Sequence, residues 1–370
     1  MPDKHIEVTE RSWGSNILGA IKGVGLGLIL ILASFFVLWR NEGRLDMSKV
    51  AAKSIPVQAN AVDSSADGKL VAVTGVLASS EELGDAPYLK PAPYIKLSRD
   101  VEMFAWVEET KSTTEKKTGG KSVTTTEYTY KREWTSRPED AGDFKIPEGH
   151  ANPSLSIEDE SFTVTSARVG VYSIDPARIG LPSSEELQLT TASVMAGQGR
   201  LDDNYLYIGE GSMQSPRVGD VRISYRAVPS DIEVTAFGKL EGDRLVPYLH
   251  KGEHRLYAAH ASDRDSAIVA MSSAHTTTGW LLRGLGFLMM WIGSNLVLGP
   301  IGAVLDVLPF LGNLSRKATG LVTFILSLIV SGIIIVVSAI AHSPLMLFIL
   351  GCIVAIIGVV AFLGFRKVRA

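Results

Sequence analysis

The chain has 370 residues, of which 46% are hydrophobic and 20% are charged, and its formal net charge is −3. A single cysteine excludes an intrachain disulfide and a cysteine-rich zinc module. The near balance of positive and negative side chains argues against a nucleic-acid-binding protein, which would normally be basic.

Four apolar stretches are long enough to cross a lipid bilayer, because about 20 apolar residues span its hydrocarbon layer. These predicted transmembrane helices cover residues 17–39, 280–300, 318–341 and 344–365. The first ends in bulky residues followed by Arg40, not in the small residues of a cleavage site, which indicates an uncleaved signal anchor. Residues 301–317 are apolar but broken by Asp306 and Pro309, which predicts an interfacial or re-entrant segment on the cytoplasmic side.

Loop charges predict the orientation of these helices. Basic residues flank the stretches on one side, in the tail 1–16, at Arg316 and Lys317, and in the tail 366–370. The turn 341–343 between the last two helices has no Lys or Arg. The positive-inside rule therefore places both termini in the cytoplasm and residues 40–279 across the membrane. That segment contains 27 Lys and Arg against 35 Asp and Glu, so it forms an acidic domain between helices one and two.

The large domain is predicted to be rich in β-structure, because β-branched and alternating runs are bounded by polar turn residues. Strands are expected at 69–79, 100–108, 122–134, 161–172, 218–227 and 231–240. The S-x-x-E pattern at Ser183–Glu186 is typical of a helix start, and it predicts a helix to about Ala196. A faint repeat relates Val71–Leu89 to Val234–Leu249, which two similar β-modules or chance would explain equally well.

The second and third of these strands are predicted to form a long hairpin with one aromatic face. Phe104 and Trp106 share a face of the first strand, and Tyr128, Tyr130 and Trp134 share a face of the next. Opposed residues of an antiparallel pair point to the same side of the sheet. The two sets therefore join only if the loop around Thr118–Lys121 has three or five residues, with a glycine in the left-handed conformation. Alternatively, residues 111–121 form a flexible tip.

Candidate chemical sites are few. His250, His254 and His260 lie close together, but Gly252 argues against a helix that would align them for a metal, so surface histidines are favoured. No nucleophile, nucleotide-binding or metalloprotease motif is present, and we expect neither an enzyme nor a cofactor.

The membrane segments offer further polar and small residues. Gly23, Gly25 and Gly27 would allow a close helix neighbour, or reflect the tolerance of membrane helices for glycine. Arg283 is near enough to the interface to extend its charge to the headgroups. Asn295 and Asp306 are the polar groups that a channel or transporter would use.

Blocks along the chain resemble the transmembrane protein 43 (LUMA) family. The similarity lies in N-E-G-R at residues 41–44, V-E-M-F-A-W-V-E at 101–108, Y-T-Y and E-W at 128–134, G-H-x-N-P-S at 149–154, and V-G-D-V-R at 218–222. It extends through Gly242-Asp243 and Leu245-Val246-Pro247 to the membrane segments. The motif residues are Asn41, Glu42, Gly43, Arg44, Glu102, Trp106, Tyr128, Tyr130, Trp134, Gly219, Asp220, Asn295, Asp306 and Pro309.

The resemblance implies an α+β membrane protein with four transmembrane helices, one N-terminal and three C-terminal, and a β-rich extramembrane domain between helices one and two. It also implies a non-enzymatic scaffold that self-associates and binds other membrane proteins, with no catalytic residues to carry over. We expect a homologue in a bacterial inner membrane with residues 40–279 periplasmic. A eukaryotic protein would lie in the endoplasmic reticulum or inner nuclear membrane. A ligand- or metal-binding ectodomain and a channel or transporter accessory remain alternatives.

Overall fold

The structure is a computed structural model, and it describes residues 4–305 and 309–343. The helices are α1 (Trp13–Glu42), α2 (Met47–Ala51), α3 (Arg264–Leu305) and α4 (Pro309–Ala341). The strands are β1 (Lys4–Arg11), β2 (Ile55–Gln58), β3 (Leu70–Ala78), β4 (Leu83–Asp85), β5 (Leu89–Ala92), β6 (Tyr94–Lys116), β7 (Ser122–Thr135), β8 (Glu160–Thr163), β9 (Ala167–Val169), β10 (Tyr172–Ile174), β11 (Glu185–Glu186), β12 (Arg200–Asp202), β13 (Tyr205–Ile208), β14 (Val221–Pro229), β15 (Ile232–Glu241), β16 (Arg244–Val246), β17 (Tyr248–His250), β18 (His254–Leu256) and β19 (Ala258–His260).

The chain divides into two compact units, which are described separately. The β-rich unit contains the first residues of β1 together with Asp46–Ser112 and Thr126–Ser273. The helical unit contains Val8–Leu45, Thr113–Thr125 and the chain from Ala274 onward. The end of the hairpin, which falls within the predicted domain 40–279, groups with the helical unit.

The β-rich unit contains an eight-stranded sheet ordered β1-β7-β6-β14-β13-β12, with β8 added to β6 and β11 to β14. Its central strand β6 alternates as predicted. Val101, Met103 and Ala105 are buried on one face, where they pack with Ile223 and Tyr225 of β14. The opposite face of β6 carries the aromatic residues of the hairpin.

A second sheet of seven strands closes on itself. Its order is β19-β15-β16-β10-β9-β3-β2, and β15 also pairs with β3, so that β3, β15, β16, β10 and β9 form a ring. The repeat seen in the sequence lies at this closure, since Gly75 of β3 is opposite Val234 and Val71 is opposite Gly238. Val73, Val169 and Leu240 are among the fully buried side chains of its core.

The predicted helix at 183–196 is wrong. The segment instead contributes the short strand β11 at the edge of β14, where Glu185 lies opposite Ala227. The Leu187 amide donates to the Tyr225 carbonyl, 2.8 Å away, and so extends this edge. The S-x-x-E pattern had no helical run of apolar residues behind it, and pairing with a sheet edge satisfied the backbone instead.

The predicted hairpin and its register are confirmed. Lys117 donates its amide to the Lys121 carbonyl at 2.9 Å, which leaves a three-residue loop with Gly119 and Gly120 at φ +82° and +75°. Opposed side chains along the strands agree with this register, since Thr114 bonds Thr124 at 2.9 Å. Two consecutive left-handed residues favour glycine, because a Cβ is strained there.

Among the described residues, the helical unit has three helices long and apolar enough to cross a membrane, α1, α3 and α4. They contain the predicted stretches 17–39, 280–300 and 318–341, whereas 344–365 lies outside the described residues. The segment 301–317 was predicted to be interfacial or re-entrant. In the structure α3 continues through Pro300 to Leu305, and α4 begins at Pro309.

Glycine brings α1 and α3 together. A Cβ added to Gly27 would lie 2.7 Å from the Gly293 carbonyl oxygen, and a Cβ on Gly293 would lie equally close to the Gly27 oxygen. Neither position accepts a larger residue without separating the helices. The predicted packing role is confirmed for Gly27. Gly23 only touches Leu296, and the space beside Gly25 is open.

The end of the hairpin contacts the first turn of α1. The Asn16 amide donates to the Gly120 carbonyl at 2.9 Å, and the Ser122 hydroxyl donates to the Asn16 side-chain oxygen at 2.9 Å. The Trp13 indole, which packs against Gly120, donates to the Ala303 carbonyl of α3 at 3.0 Å. In a membrane this contact is incompatible with the predicted topology, which puts Asn16 and Ser122 on opposite sides.

A cysteine pair tests this contact. In a Cys352→Ser background, Asn16→Cys with Ser122→Cys should form a disulfide on mild oxidation of isolated membranes, because the native side chains already touch. Loss of maleimide-reactive thiol measures the bond. Lys22→Cys with Ser122→Cys is the matched control, since Lys22 lies about 9 Å further along α1. Two free thiols in the first pair, labelled from opposite sides of the membrane, would contradict the structure.

Candidate functional site

The residues Asn41–Arg44 form a polar junction where α1 ends. The Glu42 carboxylate accepts two hydrogen bonds from the Arg283 guanidinium of α3, both of 2.8 Å. The Glu42 side chain is only 8% exposed, and that of Arg283 is 30% exposed. Arg283 was expected to extend its charge to the headgroups, but its guanidinium instead pairs with Glu42 and lies over the Trp280 ring. The pair satisfies a charge that would be costly alone at this position.

Asn41 and Arg44 add a second connection between α1 and α3. The Asn41 amide donates to the Gly279 carbonyl at 3.1 Å, and its oxygen accepts from Arg44 at 3.2 Å. The Arg44 guanidinium also lies 3.4 Å from the His275 ring nitrogen and donates to the His275 carbonyl. Asn41 of α1 and Arg44, just beyond its end, thereby hold successive turns of α3.

Helix α4 joins the same junction through His342. The Ser338 hydroxyl donates to the Trp39 carbonyl at 2.9 Å, and the His342 ring packs edge-on against the Trp39 ring. A Cβ on Gly43 would lie 2.6 Å from the His342 ring, so a larger residue would displace that ring. The four motif residues 41–44 therefore bring three helices together at one end.

In the β-rich unit, the aromatic face of the hairpin is covered by the loop 149–154. The His150 ring stacks on Tyr130 with 4.0 Å between ring centres and meets Trp106 edge-on at 4.8 Å. Asn152 pairs with Trp106 as a strand would, accepting from its amide at 2.7 Å and donating to its carbonyl at 2.9 Å. The predicted aromatic face is thus real, and it is used for internal packing.

Two motif tyrosines of β7 bond to carboxylates. The Tyr130 hydroxyl donates to Glu108 at 2.8 Å, and burial together with this bond raises the pKa of Tyr130 to about 12. The Tyr128 hydroxyl donates to Glu7 of β1 at 3.2 Å, and Lys145 forms an ion pair with the same carboxylate. Both phenols stay protonated as hydrogen-bond donors at neutral pH.

Trp134 and Glu102 meet at Arg222 of β14. The Arg222 guanidinium bonds Glu102 at 2.7 Å and lies 4.6 Å from the ring centre of Trp134. Trp134 also packs edge-on against Phe104 and Tyr207. A charged group placed between an aromatic ring and a carboxylate fixes the register of β6 and β14.

Asp220 anchors the loop before β14. Its carboxylate accepts hydrogen bonds from the Tyr207 hydroxyl and from the amides of Glu210, Gly211 and Arg217. Burial would raise the pKa of Asp220, but the bonds from Tyr207 and the three amides hold it below its usual value. Gly219 beside it has φ +97°, and a Cβ there would press on Pro153.

The remaining predicted residues lie on several different elements. The Asn295 amide donates to the Trp291 carbonyl of its own helix at 2.8 Å. Asp306 lies outside the described residues, and Pro309 begins α4. His250 and His254 are opposed on the hairpin β17–β18, whereas His260 lies on β19. Across residues 4–305 and 309–343, no three His, Cys, Asp or Glu side chains are placed to hold a metal ion.

A buried ion pair in the β-rich unit was not predicted. Arg99 bonds both oxygens of Asp85 at 2.7 Å, and Asp85 also accepts from the Tyr225 hydroxyl. The signal was in the pattern of β6, because Arg99 falls in phase with the buried residues Leu97 and Val101. A charge at a core position needs a partner.

Sequence comparison finds relatives of this chain among known proteins. The family model described as Transmembrane protein 43 matches residues 103–344. The rat protein of that name is 30% identical over 353 residues, covering 90% of this chain and 87% of its own length. The human protein is 28% identical, and the match covers 80% of this chain and 79% of the human protein. A Drosophila homologue is 29% identical, and the match covers 60% of this chain and 62% of the homologue. No solved structure matches the chain.

These findings define the chain as a membrane protein with apolar helices at both ends of a large β-rich unit. The sequence match covers most of the chain, so it also identifies the family within this class. The chain belongs to the Transmembrane protein 43 family.

The junction at the end of α1 makes a stability prediction. Glu42→Gln and Arg283→Gln should each lower the free energy of unfolding by about 1–3 kcal/mol, because each leaves its partially buried partner unpaired. The double variant should lose less stability than the sum of the two single losses. Thermal unfolding in detergent measures the difference, and Arg217→Gln, which removes an exposed pair with Glu210, is the control. Fully additive losses would show that the pair is not coupled.

Asp220 makes a pH prediction. Because the folded-state pKa is lowered, the carboxylate contributes stability above its usual value of 3.8 and loses it as the pH falls further. Asp220→Asn should cost about 1–3 kcal/mol at neutral pH, since an amide offers one acceptor fewer. The difference from wild type should shrink below about pH 4, measured by denaturant unfolding. Glu210→Gln in the same loop should change neither the stability at neutral pH nor its dependence on pH. A stability difference between wild type and Asp220→Asn that stays constant with pH would contradict the lowered pKa of Asp220.

Proposed function

We propose that the chain is a non-enzymatic, multi-pass membrane scaffold that self-associates and binds other membrane proteins through its β-rich unit. The observation that carries the proposal is the edge strand β1. It is the terminal strand of the eight-stranded sheet, it is eight residues long, and Ile6 and Val8 are 52% and 59% exposed. An open edge with apolar side chains is a template for pairing with another chain.

The use of the motif residues supports this proposal. Glu42 and Asn41 hold helices together, Asp220 holds a loop, and Trp106 and Tyr130 pack beneath His150. These polar and aromatic side chains are thus engaged in internal contacts that stiffen the molecule. A stiff body with an open strand edge suits a protein that positions others.

The proposed location is a bacterial inner membrane, with both termini in the cytoplasm. The basic residues Arg316 and Lys317 between α3 and α4, and those near the termini, support this orientation. The side on which residues 40–279 lie is not part of the proposal, because the hairpin end contacts the start of α1. The cysteine pair Asn16→Cys and Ser122→Cys decides it.

Self-association is tested by the mass of the full chain in mild detergent and by crosslinking in membranes. We expect wild type to give oligomers, and the double variant Ile6→Lys with Val8→Lys to lose at least half of them, because charge on an edge strand opposes pairing. Leu249→Lys is the matched control, since Leu249 is similarly exposed at 55% but lies on the hairpin β17–β18.

Monomers alone, in detergent and in membranes, would contradict self-association. Oligomers that persist in the β1 variant would show that the interface lies elsewhere. The exposed edge of β1 would then no longer support the proposal. Binding to other membrane proteins is measured separately, by comparing what copurifies with wild type and with the β1 variant.

A further inference from the structure

One cavity in the β-rich unit combines a buried apolar wall with two arginines. It has a volume of about 370 Å³ and lies beside the ring of strands, between β10 and β16. Cavities that hold small molecules are of this size or somewhat larger. It is distinct from the helix junction and from the aromatic face of the hairpin.

The apolar wall is part of the core of the ring. Leu245 and Tyr257 line the cavity and are 2% and 5% exposed. The Tyr257 hydroxyl is fixed, since it accepts from the Asp175 amide at 2.8 Å and donates to the Leu245 carbonyl at 2.9 Å. The wall is therefore rigid.

The rim of the cavity is polar and carries excess positive charge. Arg178 and Arg244 line it together with the hydroxyl residues Ser166 and Ser173. Arg244 lies directly opposite Ser173 in the pairing of β16 with β10, so the two side chains share a side of the sheet. Within residues 4–305 and 309–343, neither arginine side chain has an ion pair with a carboxylate.

The carboxylate at the rim offsets only one of the two arginine charges. Asp175 lines the cavity, and its carboxylate accepts from the Ala177 amide at 3.1 Å, at the start of the turn that carries Arg178. Glu81 bonds the amides and hydroxyls of Thr165 and Ser166 and does not line the cavity. One acidic and two basic groups thus face the space, which leaves one positive charge in excess.

Burial raises the pKa of Tyr257. The hydrogen bond from the Asp175 amide and the charges of Arg178 and Arg255 lower it, whereas the Asp175 charge raises it. Arg255 does not line the cavity; it donates to the Arg178 carbonyl and lies over the Tyr257 ring.

We propose that this cavity binds a small amphiphilic oxyanion, a phosphate or carboxylate group attached to a short apolar body. Arg178 and Arg244 hold the oxygens, Ser166 or Ser173 supplies a hydroxyl, and the apolar body lies against Leu245 and Tyr257. Guanidinium groups match such oxyanions with two parallel hydrogen bonds, which a lysine cannot do. The site goes beyond the scaffold function and does not depend on it.

The test uses the full chain in phosphatidylcholine nanodiscs, titrated calorimetrically with butyl phosphate, inorganic phosphate and butylammonium. We expect saturable binding of butyl phosphate, weaker binding of inorganic phosphate, and none of butylammonium. Arg178→Gln and Arg244→Gln should each weaken butyl phosphate binding about ten-fold or more, since each removes charge-assisted hydrogen bonds. Arg137→Gln removes another exposed arginine and should leave binding unchanged.

The source of the oxyanion is distinguished by adding phosphatidylglycerol to the nanodiscs. If the natural occupant is a lipid headgroup, the added lipid should compete with butyl phosphate in wild type. If it is a soluble molecule, the affinity should not change. Both results support the site.

The proposal is overturned if wild type binds no phosphate probe saturably, or if Arg137→Gln weakens binding as much as Arg178→Gln does. Arg178→Lys and Arg244→Lys keep the charge and guard against a folding defect. They should have the thermal midpoint of wild type and still bind less tightly. Unchanged binding in both lysine variants and both glutamine variants would equally overturn the proposal. None of these results depends on the oligomeric state, so failure of the site and failure of the scaffold proposal are separate.

Discussion

Opposite charges at the end of α1 fix how α1 and α3 are aligned. Glu42 and Arg283 would each be costly near hydrocarbon, yet together they satisfy one another with two hydrogen bonds of 2.8 Å. The pair sets the relative height of α1 and α3, because a shift by one helical turn would separate the two groups by about 5 Å. The close approach of Gly27 and Gly293 then becomes possible along the same two helices. Packing between the helices follows from the polar contact, since lipid tails supply no hydrophobic force that draws helices together.

The sequence predicted those parts of the fold that depend on local periodicity. The alternation of side chains along β6 and β7 correctly predicted the two faces of the hairpin. Joining the aromatic residues on one face then required a loop with an odd number of residues and a glycine in the left-handed conformation. Gly119 and Gly120 supply it. The apolar stretches likewise predicted the helices α1, α3 and α4, because a membrane-spanning helix is recognised from one continuous run of apolar residues.

Features that depend on distant residues were missed. The closure of β3 onto β15 joins residues more than 150 positions apart, and only a weak repeat in the sequence hinted at it. Residues 183–196 had a local helix signal that a sheet edge overrode. The contact of Asn16 with Gly120 has no sequence signal, since a polar hairpin tip can lie against any helix end. The site residues were located by resemblance, but their partners His275, Gly279 and His342 could be identified only in the structure.

Two polar residues of the motif blocks, Asn152 and Asp220, act as substitutes for backbone groups. Asn152 replaces a strand beside Trp106, offering one acceptor and one donor at the spacing of a peptide group. Asp220 takes the place of several carbonyls by accepting from three amides of the loop that precedes β14. Both solve the same problem, because buried amides need partners where regular structure ends. A short polar side chain is the smallest group that can do this, and its length leaves little tolerance in position. An exacting requirement for a particular Asn or Asp can therefore arise from backbone geometry alone, with no reaction to catalyse.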